Sequence, residues 1–148
     1  MTRLFNTTFE LSLRAMLLLT VLDRKDMTLD RIVACDFIAI YGSYFGLTES
    51  NLHGENDYSF SEFTSRRELL HEALKSLVLD GLVRATHKRI GFCYEITEDG
   101  RSFCSKQGTE YANAYRTMVS NTNQVFGHHT EVALLEIISK KAKEALRR

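Results

Sequence analysis

The sequence predicts a mainly α fold with one small antiparallel β-hairpin, and three observations carry that prediction. Apolar residues recur at helical spacing through most of the chain. Proline is absent, so no residue locks φ or removes a backbone donor, which favours helices and few rigid loops. Residues 82–97 break the helical period and read as two short strands around a turn containing a glycine.

Residues 7–22, TTFELSLRAMLLLTVL, begin with a Thr cap and Glu10 in the first turn, then carry apolar residues on nearly every side; Ser12, Arg14 and Thr20 are the exceptions. A helix so apolar is central to a core or lies partly against another subunit. Residues 28–42, TLDRIVACDFIAIYG, place Leu29, Ile32, Val33, Phe37 and Ile40 on one face. They predict an amphipathic helix with Thr28 as N-cap and Gly42 as its stop.

Residues 43–60, SYFGLTESNLHGENDYSF, show little sustained period. A connection of about 18 residues exceeds the usual loop of about 4 to 6, and such loops are often functional. His53, Glu55 and Asp57 alternate within it, but no second ligand cluster stands elsewhere to complete a metal shell, so they read as hydrated loop residues.

Ser61 opens a third helix, SEFTSRRELLHEALKSLVLDGL, with Leu70, Ala73, Leu74, Leu77 and Val78 as its apolar stripe and Gly81 at its end. Leu82–Lys88 and Phe92–Thr97 then pair around Arg89, Ile90 and Gly91. A short helix follows from Glu98 towards Lys106. Two amphipathic helices, residues 109–125 and 131–146, finish the chain, separated by Gly127, His128 and His129. The histidine pair reads as part of a turn, because adjacent residues on a helix face different directions.

Helix, helix, longer helix, hairpin is the order of a winged helix. The run LVLDGLV, then a strand, a basic turn and YEITEDG, resembles the third helix and wing of many prokaryotic winged-helix proteins. The predicted architecture is a winged helix-turn-helix domain over residues 1–106, with residues 107–148 as a C-terminal helical extension packed on the same domain.

Charge limits the function. Lys plus Arg and Asp plus Glu number 19 each, so bulk attraction to a polyanion is excluded and any nucleic-acid contact is local or shared with a partner. The third helix sets Arg66, Arg67 and Lys75 against Glu68, Glu72 and Asp80, which argues against reading a DNA groove. The hairpin gathers Arg84, His87, Lys88 and Arg89 and offers contacts to a phosphate backbone; an acidic partner or a solvated tip are the alternatives. Lys140 and Lys141 belong to a basic tail that either complements the helix dipole or forms a second phosphate patch.

The three cysteines form no C-x-x-C pair, which points away from disulfides and zinc and towards a reduced, cytoplasmic setting. AMLLLTVL is far shorter than the roughly 20 apolar residues that span a bilayer, so no membrane partner is expected. No nucleophile, phosphate-loop, zinc-protease or dinucleotide motif is present. The isolated chain is expected to be no enzyme and to need no cofactor.

The stretches LFNTTFELSLRAMLLL, DFIAIYGSYFGLTESNLHGEND, FSEFTSRRELLHEALKSLVLDGLV and GFCYEITEDGRSFC together resemble the small middle component of bacterial ABC three-component systems, the group that includes Lamassu antiphage defence. The resemblance covers about the first 105 residues and continues more weakly through the tail. It implies a non-enzymatic adaptor encoded beside an SMC-like or Rad50-like ABC ATPase and an effector, often a nuclease. Such a subunit would bind near the ATPase heads and connect nucleic-acid sensing to effector release. Partner contact is then expected at Asn51, Leu52, His53, Phe60, Phe63, Arg66 and Arg67; the alternative makes both Phe side chains core and both Arg side chains solvated. A second functional class stays open: a dimeric winged-helix DNA-binding transcription regulator, with the last two helices as its dimerisation arm.

Overall fold

The computed structural model describes residues 7–52 and 63–146. In chain order these form α1 (Thr8–Leu22), α2 (Leu29–Ile40), a 3-10 turn (Gly42–Phe45), α3 (Phe63–Leu79), β1 (Val83–Lys88), β2 (Gly91–Ile96), α4 (Glu98–Ser105), α5 (Glu110–Phe126) and α6 (Glu131–Leu146). The protein is mainly helical with one two-stranded antiparallel sheet. His53, Phe60 and Ser61 lie outside the described residues. Among the described residues no helix is long and apolar enough to cross a membrane.

Threonine caps five of the described helices. Thr7, Thr28, Thr97 and Thr109 are extended N-caps whose hydroxyls accept from the backbone N–H three residues on, and Thr130 does the same for Ala133 at α6. Each cap satisfies one donor that the helix leaves unpaired and is worth about 1 kcal/mol.

The second helix departs from its expected amphipathic form. Every residue of α2 from Arg31 to Ile40 is buried, because α1, α3, α5 and α6 all pack against it. The C-terminal helices cover the face that the sequence pattern assigns to solvent. Gly42 is also not the helix stop: it begins the 3-10 turn, and the positive φ belongs to Gly46, at 76°. Gly42 lies under α5, where a Cβ would stand 2.6 Å from the terminal methyl of Met118, a flexible side chain that can move aside.

Leu17 and Leu18 of α1, Ile32, Val33 and Phe37 of α2, Leu74 of α3 and Tyr115 of α5 are fully shielded and define one core. Full burial of a side chain of this size contributes about 1.5–3 kcal/mol. The link between α1 and α2 is clasped to the α5–α6 turn, where the Gly127 carbonyl accepts from Arg24 at 2.7 Å and Arg31 at 3.2 Å.

The hairpin closes through Arg89 and Ile90, with Lys88 opposite Gly91 and Val83 opposite Ile96. Gly91, at φ 117°, adopts a conformation that a Cβ would strain. Thr28 forms a single antiparallel bridge with Cys93, and the Tyr94 N–H donates to the Met27 carbonyl at 2.9 Å. The hairpin is thereby fixed to the start of α2.

Candidate interaction site

The orientation of α3 is set by a buried charge. Asp36, inside α2, accepts from the Arg14 Nε at 3.0 Å and from an Arg14 terminal nitrogen at 3.3 Å. It also accepts from Arg66 at 3.4 Å and from the Tyr115 hydroxyl at 2.6 Å. All four residues are buried. Burial penalises the Asp36 charge, yet the charges of Arg14 and Arg66 and the hydrogen bonds from Arg14 and Tyr115 outweigh it and hold the carboxyl below its usual range. Burial, then the Asp36 charge, pushes the Tyr115 hydroxyl well above 10.0.

Arg66, expected at a partner surface or in solvent, is therefore a core residue. Its guanidinium lies 5.8 Å from the Phe37 ring centroid and 5.7 Å from that of Tyr41, while Nε and Nη2 have no hydrogen-bond partner. Two arginines share one carboxylate, and the cluster is sealed from solvent, so it positions helices and offers no access to a substrate.

The neighbouring candidates divide between anchoring and exposure. Asn51 is buried, and its side-chain oxygen accepts from the Ser43 N–H at 2.7 Å. The Leu52 N–H donates to the Ile40 carbonyl at 2.9 Å, so Leu52 ties the chain to the end of α2 and Asn51 ties it to the 3-10 turn that follows. Phe63 is half-buried and meets Phe37 edge to face, with centroids 5.4 Å apart. Among the described residues of this group Arg67 alone is exposed, forked onto Asp30 at 2.5 and 3.4 Å.

With Arg66 turned inward, the exposed charges of α3 and its end are Arg67 and Lys75 against Glu68, Glu72 and Asp80. Both cations are already paired, Arg67 with Asp30 and Lys75 with Glu72 at 3.0 Å. The surface is mildly acidic.

Beside it runs a groove that sequence reasoning did not identify, lined by His71, Lys75, Val78 and Leu79 of α3 and Ala85, Phe92 and Tyr94 of the hairpin. Leu79 is 87% exposed and Phe92 58%. The period-2 run Phe92, Tyr94, Ile96 places those side chains on one face of β2 and could have revealed part of it.

The same period divides the basic hairpin. Arg84 and Lys88 share one face with Glu95, whereas His87 is on the other, tilted against Phe92 with centroids 5.0 Å apart. Arg84 stands 3.6 Å from Glu95, which Lys25 also contacts at 3.2 Å; Lys88 donates to the Lys25 carbonyl at 2.7 Å. Arg89 is exposed in the turn. On α6, Lys140 is exposed and Lys141 lies 3.6 Å from Glu144. Among the described residues no group of three His, Cys, Asp or Glu side chains is placed to hold a metal ion.

A family model described as ABC-three component (ABC-3C) system Middle Component 2 matches residues 4–148. Comparison with curated proteins and with solved structures found no match.

Proposed function

The chain belongs to the middle components of ABC three-component systems, and from that premise we propose that it is a non-catalytic adaptor of an SMC-like or Rad50-like ABC ATPase complex in bacterial antiphage or antiplasmid defence. It binds near the ATPase heads in the cytoplasm and couples nucleic-acid sensing to a nuclease-type or other effector, as in the Lamassu group. The observation that carries this reading is the outer face of α3. Arg66 is buried, and the remaining exposed charges include one more acid than base. A helix entering the major groove meets phosphates on both sides, and unpaired carboxylates there repel them.

The element order, and the bridge that fastens β2 to the residue before α2, support a winged helix with residues 107–148 as its extension. In this reading the fold serves protein contact, since fold and function separate routinely. DNA contact is limited to Arg84, Lys88 and Arg89 inside the assembled complex. The alternative, a dimeric operator-binding regulator, requires attraction that α3 lacks.

Co-expression with the other components of its system, capture and mass determination test the reading. The adaptor holds a large ATPase subunit through purification and binds duplex DNA poorly alone. Recovery of a lone homodimer that shifts duplex DNA would overturn it.

A further inference from the structure

We propose that the groove between α3 and the outer face of the hairpin is the seat of an apolar, acid-bearing helical segment from a partner component of the same complex; this rests on the adaptor reading above. Leu79, at 87% exposure, and Phe92, at 58%, are large apolar side chains that a solitary chain gains nothing by exposing, and they line the same groove. Val78, Ala85 and Tyr94 complete an apolar floor. Contiguous apolar surface rimmed by polar groups marks an interaction site far more specifically than a lone exposed leucine does.

The chemistry of the lining selects the occupant. Its ionisable side chains are His71, Lys75 and Tyr94, with no carboxylate among them. Lys75 reaches Glu72 at 3.0 Å as an exposed i,i+3 pair, which an incoming carboxylate can exchange at little cost because solvent screens such surface pairs. A nucleic acid finds one lysine and no phosphate-binding fork here, whereas an amphipathic helix finds an aromatic anchor, an aliphatic ridge and a cation for its acidic flank. Both ridges sit on rigid elements, α3 pinned through Arg66 to Asp36 and the hairpin bridged to Thr28, so little ordering is needed on docking.

The test is co-expression of the full system with wild-type chain, with Leu79→Ser/Phe92→Ser and with Lys75→Glu, followed by quantitative capture and thermal unfolding of each purified chain. The wild type retains its partner. The double variant loses at least about tenfold in retained partner, with its melting temperature lowered only slightly, because Leu79 is almost fully exposed and Phe92 loses chiefly its contact with His87. Lys75→Glu loses several-fold, and the loss shrinks at high salt. Wild type without any partner refutes the adaptor reading itself. Wild type with its partner and a folded double variant that retains it equally refutes the groove, as does a self-associating chain whose dimer the double variant breaks. If the double variant melts early, crosslinking from a photoreactive residue at position 79 of an otherwise wild-type chain decides: adducts to the partner's carboxylate-bearing helix support the groove, and adducts elsewhere overturn it.

Discussion

The Tyr115 hydroxyl donates a 2.6 Å hydrogen bond to Oδ1 of Asp36, joining α5 to the middle of α2 across 79 positions of sequence. The same carboxylate accepts from Arg14 of α1 and Arg66 of α3, so one buried anion fixes the relative placement of four helices. The second arginine is a surplus charge with two donor nitrogens that have no partner. In a buried charge cluster of this kind desolvation consumes most of the Coulomb energy, so its net contribution to stability is small while the loss of its anion is costly.

Asp36→Asn leaves two buried guanidiniums without a counterion and costs about 3–5 kcal/mol, a large share of the roughly 5–15 kcal/mol that holds a domain of this size. Arg66→Met keeps the stem's packing, removes two unmet donors and leaves the Arg14–Asp36 pair whole; it costs under about 2 kcal/mol. Tyr115→Phe falls between, at about 1.5–3 kcal/mol for a hydrogen bond to a charged acceptor. Urea unfolding of the three variants checks the order. A more damaging Arg66→Met than Asp36→Asn would show that the surplus arginine, rather than the anion, organises the centre.

The pH dependence follows from the same groups. The folded Asp36 pKa is depressed, so its contribution is present above the unfolded value near 3.9 and disappears as pH falls through the lower folded value. The Tyr115 pKa is raised, so its contribution is present below 10.0 and is lost as pH rises through the folded value. Stability measured against pH therefore falls below about 4 and above about 10. Asp36→Asn makes the acid limb shallower and Tyr115→Phe the alkaline one. The remainder belongs to Asp26 and Glu95, whose carboxyls are also held low, and to Tyr111 and Cys35, which burial pushes up to about 12 and about 11. Limbs unchanged by these variants would assign the pH response to other groups.

Much of the fold was legible because local chemistry dictates it. The Thr caps mark five helix starts, the hairpin turn falls where Arg89, Ile90 and Gly91 predict it, and Gly81 has the positive φ its position demands. The buried charges were not legible, since Arg14, Asp36 and Arg66 meet over separations of 22 and 30 residues and a charge on a helix is ordinarily solvated. Leu79 and Phe92 were hidden for the converse reason: an apolar residue in a sequence reads as core, and only the folded surface shows which ones stay outside. The division of Arg84 and Lys88 from His87 was available from the two-residue period of a strand.

Gly100→Ala destabilises by about 1–3 kcal/mol or more, although alanine is the better helix former. A Cβ at Gly100 would overlap the Leu82 carbonyl oxygen and stand 2.6 Å from the Ile96 side chain, and the former is backbone that does not yield. This close approach seats α4 on the base of the hairpin, where the Thr97 hydroxyl also donates to the Gly81 carbonyl at 2.8 Å. Thermal unfolding of Gly100→Ala beside Ser105→Ala, an exposed position on the same helix, checks it. A Gly100→Ala protein as stable as wild type would mean that α4 is free to shift away from the hairpin.

The basic face of the hairpin gives a prediction that separates its two sides. Arg84, Lys88 and Arg89 can follow a phosphate backbone together, while His87 is committed to the Phe92 face. Each cation that neutralises a phosphate adds about 0.9 to the steepness of log affinity against log salt, so Arg84→Gln/Lys88→Gln/Arg89→Gln lowers the slope for the assembled complex on duplex DNA by about 2 to 3. Glutamine is the better replacement than glutamate, because an acid at position 84 would stand directly opposite Glu95 and add a cross-strand repulsion of about 0.2–1 kcal/mol. On the adaptor reading proposed above, Arg84→Glu/Lys88→Glu/Arg89→Glu abolishes defence in cells for the same reason that the neutral variant weakens DNA contact, and His87→Gln leaves the salt slope unchanged. DNA titration of the complex at several salt concentrations, beside a protection assay in cells, measures all of this. Equal slopes for wild type and the neutral triple variant would remove the hairpin from DNA contact, and unchanged protection by the charge-reversed variant would remove it from the mechanism.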